Sequence, residues 1–412
     1  MRNVSTIILI FILHLHGICQ NQKTLTGKII DSETKEGLPY ATIGFPNNYI
    51  GTVTNESGDF KFIFSDTIKN DSLVINYLGY KSKTYDSKQV ETVMNIELTA
   101  SSVSLTEFIV LPQPPEFYIQ LAVKAIPNNY ASQAYNYTSY YKESFAENGN
   151  YIKLDECVFE SYSKDTINMQ QLVLHKETTD PYELNFMKQK RKKRKRKALK
   201  KGKTSDNIKP SFDFGEFFGG PKTILKLGNI NNLEPFIDSI SFKKFDYNFE
   251  PSTTYNGNEV MVINFSSKSR IDKSKYVGQL FIDKTTNAFV AIDYTENTRI
   301  PTALKPILFL VGISISNPIF NIRKVYQEQS NDRWYPKSFQ LSIQFGVTKK
   351  YMFNKNEHSK FNIKQHFNIN KINIANVKSI EKVKQFDASK KDYKSQIHNA
   401  NNINWKNINT LD

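Results

Sequence analysis

The sequence predicts a mainly β protein in two parts: a small N-terminal antiparallel β-sandwich and a larger curved antiparallel sheet, shaped like an open half-barrel, with one or two short helices. Three observations predict it. Phe (29) and Tyr (22) are abundant among the 412 residues, and aromatic and β-branched residues suit the pleated, half-buried surface of a sheet. Apolar and polar residues alternate in short runs along most of the chain, the period of a strand with one buried face. Gly, Asn, Asp and Ser separate these runs at close spacing, as hairpin turns require.

The first twenty residues, MRNVSTIILIFILHLHGICQ, join a positive start at Arg2 to an apolar run from Ile7 to Leu13 and a small-x-small ending at Gly17–Cys19. This is the pattern of a secretory signal over residues 1–19. The run is shorter than the roughly 20 residues that span a bilayer. Export to the periplasm, or to the outer membrane of a Gram-negative bacterium, is therefore expected. Cleavage after Cys19 leaves Cys157 alone, so no internal disulfide holds the mature chain together.

Residues 24–100 read as successive short strands. In LTGKIID, Leu25, Gly27 and Ile29 share a side, and LPYATIGF follows across the turn ETKEG. GTVTNESGDFKFIF is strand, turn, strand; DSLVINYLGYKSKTY and TVMNIELT complete the set. This spacing predicts a sandwich.

Residues 101–115 form a Pro-rich linker, and Pro115 is placed to open a helix. Ile119, Ala122, Val123 and Ile126 then fall at helical spacing until Pro127. From 116 to 374 the alternation returns, in YNYTSYYKESFA, YIKLDECVFESYS, INMQQLVLHKE, SISFKKFDYNFE, EVMVINFSS, YVGQLFIDKTTNAFVAIDY and SFQLSIQF. Successive hairpins of this kind predict a curved antiparallel meander. A basic insertion, 187–209, interrupts it. Residues 375–412 are rich in Lys and Asn and read as a disordered tail.

The order GKIIDSETKEGLPYATI, GTVTNESGDF, LVINYLGYKS resembles the carboxypeptidase regulatory-like domain, a transthyretin-type β-sandwich. Its most specific part is Gly51-Thr52, Thr54-Asn55, Gly58 and Phe60. The resemblance implies an accessory module of exported proteins, without catalytic residues. AIPNNYASQAYNYTSYYKE and YVGQLFIDKTTNAFVAIDY resemble envelope proteins that pair such a module with a second β region. FIDKTTNAFVAID is similar to one hairpin of LolA-type lipoprotein carriers, whose open half-barrel holds acyl chains; one hairpin bears on fold alone.

Catalytic constellations are missing from the sequence. A zinc peptidase needs His-x-x-Glu and a distant His. Of the six histidines, His14 and His16 lie in the signal, and none of His175, His358, His366 and His398 has Glu three residues on. There is no Gly-x-Ser-x-Gly elbow, P-loop or dinucleotide fingerprint. No catalytic residue, metal or cofactor is therefore assigned. Cys157, in an alternating strand, reads as core packing. Glu156 and Glu160 point one way and Asp155 the other, which reads as acids on a solvated sheet face.

Two stretches remain as candidate sites. The apolar run Ile307, Leu308, Phe309, Leu310, Val311 reads as a buried strand or short core helix, as a greasy lip over a cavity that takes a ligand, or as a loop that dips into a membrane. The second is basic. The net charge is +15, yet Lys188–Lys203 holds 12 Lys or Arg and no acid. The basicity is a local insertion, not a basic fold. Lys190, Arg191, Lys192, Lys193, Arg194, Lys195, Arg196 and Lys197 are candidates for contact with an anionic surface. Export excludes nucleic acid as the partner. The expected partners are anionic membrane lipid, lipopolysaccharide or an outer-membrane protein, with oligomeric state left open. The expected function is a non-catalytic envelope protein that binds or docks, its β domain holding an apolar or polymeric ligand. The alternative, an envelope hydrolase, requires carboxylates that converge in a cleft with raised pKa values.

Overall fold

The computed structural model describes residues 22–68, 70–101, 112–165, 167–179, 192–193, 196–197, 200, 220–352, 355–390, 392–398 and 403–411. The expected signal, most of the linker and most of the basic insertion lie outside them.

The N-terminal module contains β1 (Gln22–Asp31), β2 (Thr42–Phe45), β3 (Ile50–Val53), β4 (Asp59–Ser65), β5 (Ser72–Asn76), β6 (Lys83–Asp86) and β7 (Val93–Leu98). One layer is β4-β1-β7 and the other β3-β2-β5-β6. Leu25, Ile29, Ile43, Phe45, Phe62, Leu73, Ile75 and Leu98 fill the space between them. Pairing is antiparallel except for β1 with β7, which run parallel. Gly27 permits that approach: a Cβ there would stand 1.8 Å from the Met94 carbonyl oxygen. The turn residues singled out in the sequence fix the tight turn by which the chain crosses from β3 in one layer to β4 in the other. Asn55 Oδ1 accepts from the amides of Ser57 (2.9 Å) and Asp59 (3.0 Å), and Gly58 adopts φ +83°, open to glycine at little cost.

Helix α1 (Pro115–Asn129) follows, then β8 (Tyr135–Glu147), β9 (Asn150–Lys164) and β10 (Ile167–Thr179). Pro127 lies inside the last turn of α1 and does not end it; the helix runs two residues further and closes where the Tyr130 amide bonds the Ile126 carbonyl. Helix α2 (Pro221–Gly228) precedes β11 (Phe245–Tyr255), β12 (Asn258–Ser267), β13 (Ser274–Asp283) and β14 (Phe289–Thr298). Helix α3 (Leu304–Leu310), β15 (Ile313–Ile315), β16 (Ile319–Glu328), β17 (Trp334–Lys349) and β18 (Glu357–Asn373) complete the chain order. The first half of SISFKKFDYNFE is a 3-10 turn, not a strand, because Asp238 caps it by accepting from the Ile240 amide.

These strands form one curved antiparallel sheet that branches at β18. It runs β11-β12-β13-β14-β16-β17-β18, then divides. One arm continues through β8, β9 and β10. The other enters the sandwich through a single register contact, Lys371 with Ile50, and an Ile372 amide bond to the Tyr49 carbonyl (2.9 Å). Bulges at Glu250/Thr253, Phe281/Ile282, Val325/Tyr326 and Ile369/Lys371 bend the strands, since an unpaired extra residue increases local twist. The main core lies on the concave side, under α1, α2 and the segment that follows α2. Phe236 from that segment stacks on Phe265 at 4.0 Å. Glu234 accepts from Lys324 Nζ (2.7 Å) and from the Tyr294 hydroxyl (3.0 Å).

The expectation of a disordered tail is corrected. The described residues of the tail from 378 onward lie along the domain and satisfy its open edge. The Phe386 amide bonds the Gln170 carbonyl (2.7 Å), and the His398 amide bonds that of Leu172 (2.9 Å), so the tail covers part of the edge of β10 that is turned away from β9. Further on, Ile408 and Leu411 bury themselves with Val53, Tyr140 and Val158. Asn409 ties both modules together: its Oδ1 accepts from the Ile63 amide (2.6 Å), and its carbonyl accepts from Asn370 Nδ2 (3.0 Å).

Candidate functional site

The concave face of β8, β17 and β18 is paved with aromatic rings because alternate residues of these strands point inward. Tyr135 meets Tyr335 edge-on at 5.1 Å, Tyr137 meets Phe367 at 6.4 Å, and Phe367 stacks on Phe339 at 6.1 Å. Above this floor is a cavity of about 500 Å³. Its walls are the Gly228–Asn232 turn on one side and Gln385–Ala388 of the tail on the other, with Trp334 and Tyr130 at the back.

Local structure fixes these walls. The Tyr130 hydroxyl donates to the Phe289 carbonyl (2.7 Å) and holds the end of α1 over the sheet. Gly228 sits against Phe339, whose ring leaves no room for a Cβ. Burial pushes the Tyr130, Tyr135 and Tyr137 hydroxyls above the usual phenol range, so they remain neutral. Tyr137 Oη lies 2.9 Å from the Asn168 side-chain amide nitrogen. Asn168, Gln170, Asn229, Asn231, Asn232 and Gln385 put uncharged amides around the aromatic floor. Among the described residues, the charged lining residues are Asp165 and Asp387, with no Lys, Arg or His.

A second hollow, about 650 Å³, lies at the junction of the modules between Tyr40, Glu56, Lys142, Lys364, His366 and Leu411. Its lysines are engaged. Lys364 Nζ is 2.7 Å from Glu56, and Lys142 Nζ donates to the Leu411 carbonyl. Burial outweighs the attraction of Glu56 and holds the His366 imidazole at a pKa of about 4.

Two of the three acids of KLDECVFE are not on a solvated face, while Glu160 is half-buried. Asp155 and Glu156 are buried, on opposite sides of β9. Glu156 accepts from the Tyr140 hydroxyl (2.6 Å). Asp155 meets His175 Nε2 at 3.1 Å and Lys153 Nζ at 2.7 Å. Burial raises the Asp155 pKa, but the hydrogen bonds and charge of His175 and Lys153 bring it below the usual value. Asp155, His175 and Glu177 offer ligand atoms within 4.8 Å of one another. Lys153 already bridges the two carboxylates, reaching Glu177 at 3.1 Å, so the group is a closed ion-pair network. Sequence spacing missed it because its members come from two strands. The signal was the alternation that puts His175 and Glu177 on one face. Cys157 is buried as expected, and burial raises its thiol pKa.

The two predicted sites lie elsewhere. Ile307–Val311 is neither a buried strand nor a core helix: Phe309 and Leu310 are 82% and 84% exposed. The helix is too short and too far out to pack, and the run lines neither hollow. Of the basic candidates, Lys192, Lys193, Arg196 and Lys197 are described and exposed; Lys190, Arg191, Arg194 and Lys195 lie outside the described residues. Strand β10 ends at Thr179 on the side of the sheet where β8 turns into β9 and β17 into β18. No helix among the described residues is long and apolar enough to cross a membrane.

Fold and cavity together define a two-module β protein, a sandwich joined to a hollow half-barrel. Residues 25–110 match the family model of the CarboxypepD_reg-like domain, which identifies the sandwich. Comparison with curated proteins gives no match. Among solved structures, a DUF1329 family protein from Desulfovibrio piger is 11% identical over 65% of this chain and 95% of that one, with TM-score 0.28. A protein of unknown function from Bacteroides fragilis is 9% identical over 85% of this chain and 98% of that one, with TM-score 0.16. Lipovitellin is 10% identical over 61% of this chain and 27% of that one, with TM-score 0.23.

Proposed function

We propose that this is a non-catalytic binding protein of the cell envelope, exported by its N-terminal signal, with the half-barrel cavity as its ligand site. One observation carries the reading: a cavity of about 500 Å³ with an aromatic floor, amide walls and, among the described residues, no cationic lining residue. Concave sites of this size and mixture take small ligands. Rings supply flat apolar contact, and amides orient polar groups without demanding charge. The ligand class that fits is uncharged, with one apolar face and several hydrogen-bonding groups, such as a sugar segment or the body of a neutral lipid. An anionic ligand would meet the carboxylates of Asp165 and Asp387. The sandwich acts as the docking module.

Three facts weigh against a hydrolase. Asp155 is held ionised by its partners. Asp293 and Glu328, whose pKa values burial raises, line neither hollow. The Cys157 thiol is buried and protonated.

The test uses Trp334, which lines the cavity, with Trp405 replaced by Phe so that one indole reports. Protein purified from the envelope is extracted and its extract analysed by mass spectrometry. The extract is then titrated back onto stripped protein while Trp334 emission is followed. A stoichiometric uncharged compound that shifts the emission, and that Ala388→Phe excludes, supports the reading. An empty extract with unresponsive emission sinks it.

A further inference from the structure

Where β15 closes against β17, five large apolar side chains stand in solvent. Ile307, Phe309, Leu310 and Val311 belong to α3 and its end, and Met352 to the loop after β17; their exposures run from 46% at Val311 to 89% at Met352. The tip is held by its backbone and not by these side chains. The Gly312 amide bonds the Phe309 carbonyl (2.9 Å), and the Lys350 amide bonds that of Gly312 (2.8 Å). Gly312 takes φ +63° to make the turn. Folding therefore does not account for apolar residues at these positions, and grouped exposed apolar side chains mark an interaction surface.

The surrounding charge identifies the partner. No Asp or Glu occurs between Glu296 and Glu328, nor between Asp332 and Glu357. Those two stretches contain the whole tip, and Lys305, Lys349, Lys350 and Lys355 border it. Protruding apolar points among these lysines, with Glu357 opposite Lys349 and accepting from the Tyr351 hydroxyl (2.8 Å) as the acid beside them, match an anionic bilayer surface. The apolar side chains reach the acyl boundary while lysine ammonium groups remain at the phosphates.

We propose that the α3 tip inserts into an anionic lipid surface and anchors the half-barrel there. The inference is independent of what the cavity holds.

The test uses the full chain and vesicles of phosphatidylcholine with phosphatidylglycerol. Because the Lys188–Lys203 stretch also attracts such vesicles, flotation is measured at about 0.5 M NaCl, where electrostatic attraction is strongly screened. Phe309→Glu/Leu310→Glu is expected to weaken that salt-resistant binding at least about tenfold, given the apolar area withdrawn from the lipid, with an unchanged thermal melt. Separately, Leu310→Trp with both native tryptophans replaced by Phe should give an emission that shifts to the blue on vesicle addition and is quenched by brominated lipid. Lys305→Gln/Lys350→Gln should lower binding at low salt. Unchanged salt-resistant flotation of the double Glu variant overturns the proposal, as does a Leu310→Trp emission indifferent to vesicles. So does a double Glu variant that loses self-association while still floating, which would make the tip a protein contact.

Discussion

The imidazole of His366 stacks on the ring of Tyr40, centroids 5.1 Å apart and planes 22° from parallel, joining half-barrel to sandwich. Glu56, Lys364 and Lys142 surround the pair. The His366 pKa falls to about 4 in the fold, chiefly through burial, against about 6.5 unfolded. The unfolded chain therefore takes up the proton first. Stability is full above about pH 6.5 and falls as pH drops towards 4, by on the order of 3 kcal/mol. Urea midpoints for wild type and His366→Phe, compared across that window, should show the wild type losing the excess.

Lys337 is a buried cation with no carboxylate paired to it among the described residues. Its Nζ donates to the Ile369 carbonyl at 3.1 Å, and burial lowers its pKa to about 7. Below about pH 7 the folded chain carries this charge at full cost. Between pH 7 and about 10.5 only the unfolded chain is protonated, so stability rises with pH. Lys337→Met should stabilise the protein at neutral pH by on the order of a few kcal/mol. It should also flatten the rise between about pH 7 and 10 in denaturant titrations.

The Lys324–Glu234 pair holds the segment after α2 onto the concave face. Lys324→Met alone leaves Glu234 facing the Tyr294 hydroxyl without its cation. A cost of about 3 kcal/mol is expected, because removing one member of a buried pair strands the other. Lys324→Met with Glu234→Leu should recover most of it. Chemical denaturation of the three variants gives the coupling directly.

Ile408 and Leu411 are 7% and 6% exposed. Replacing each by Ala should cost about 2 kcal/mol, read as a fall in the urea midpoint, and should open the tail to proteolysis. An unchanged midpoint would mean the tail is not packed in solution.

The sandwich was legible because its turns have few chemical solutions: Asn55 and Gly58 could be placed before any strand was paired. The half-barrel meander was legible through alternation, down to Cys157 in the core. The tail was not. Its Lys and Asn hide a sparse set of anchors, Phe386, Ile408, Asn409 and Leu411, whose partners Gln170, Val53, Ile63 and Tyr140 lie far back in the chain. The cavity was equally hidden, since the alternation puts Tyr137 and Phe367 on inward faces but does not say that Gln385–Ala388 will stand opposite. The Asp155–His175 contact shows the same limit, being cross-strand and without a local motif. Ile307–Val311 misled in the other direction: a run of apolar residues indicates a need for burial, but not that the chain's own core must supply it.

The cavity wall at Gln385–Ala388 follows every strand among the described residues. The aromatic floor, which ends with Phe367 and Ile369, comes before this wall in chain order, so its strands can pair without the wall and the wall can seat last.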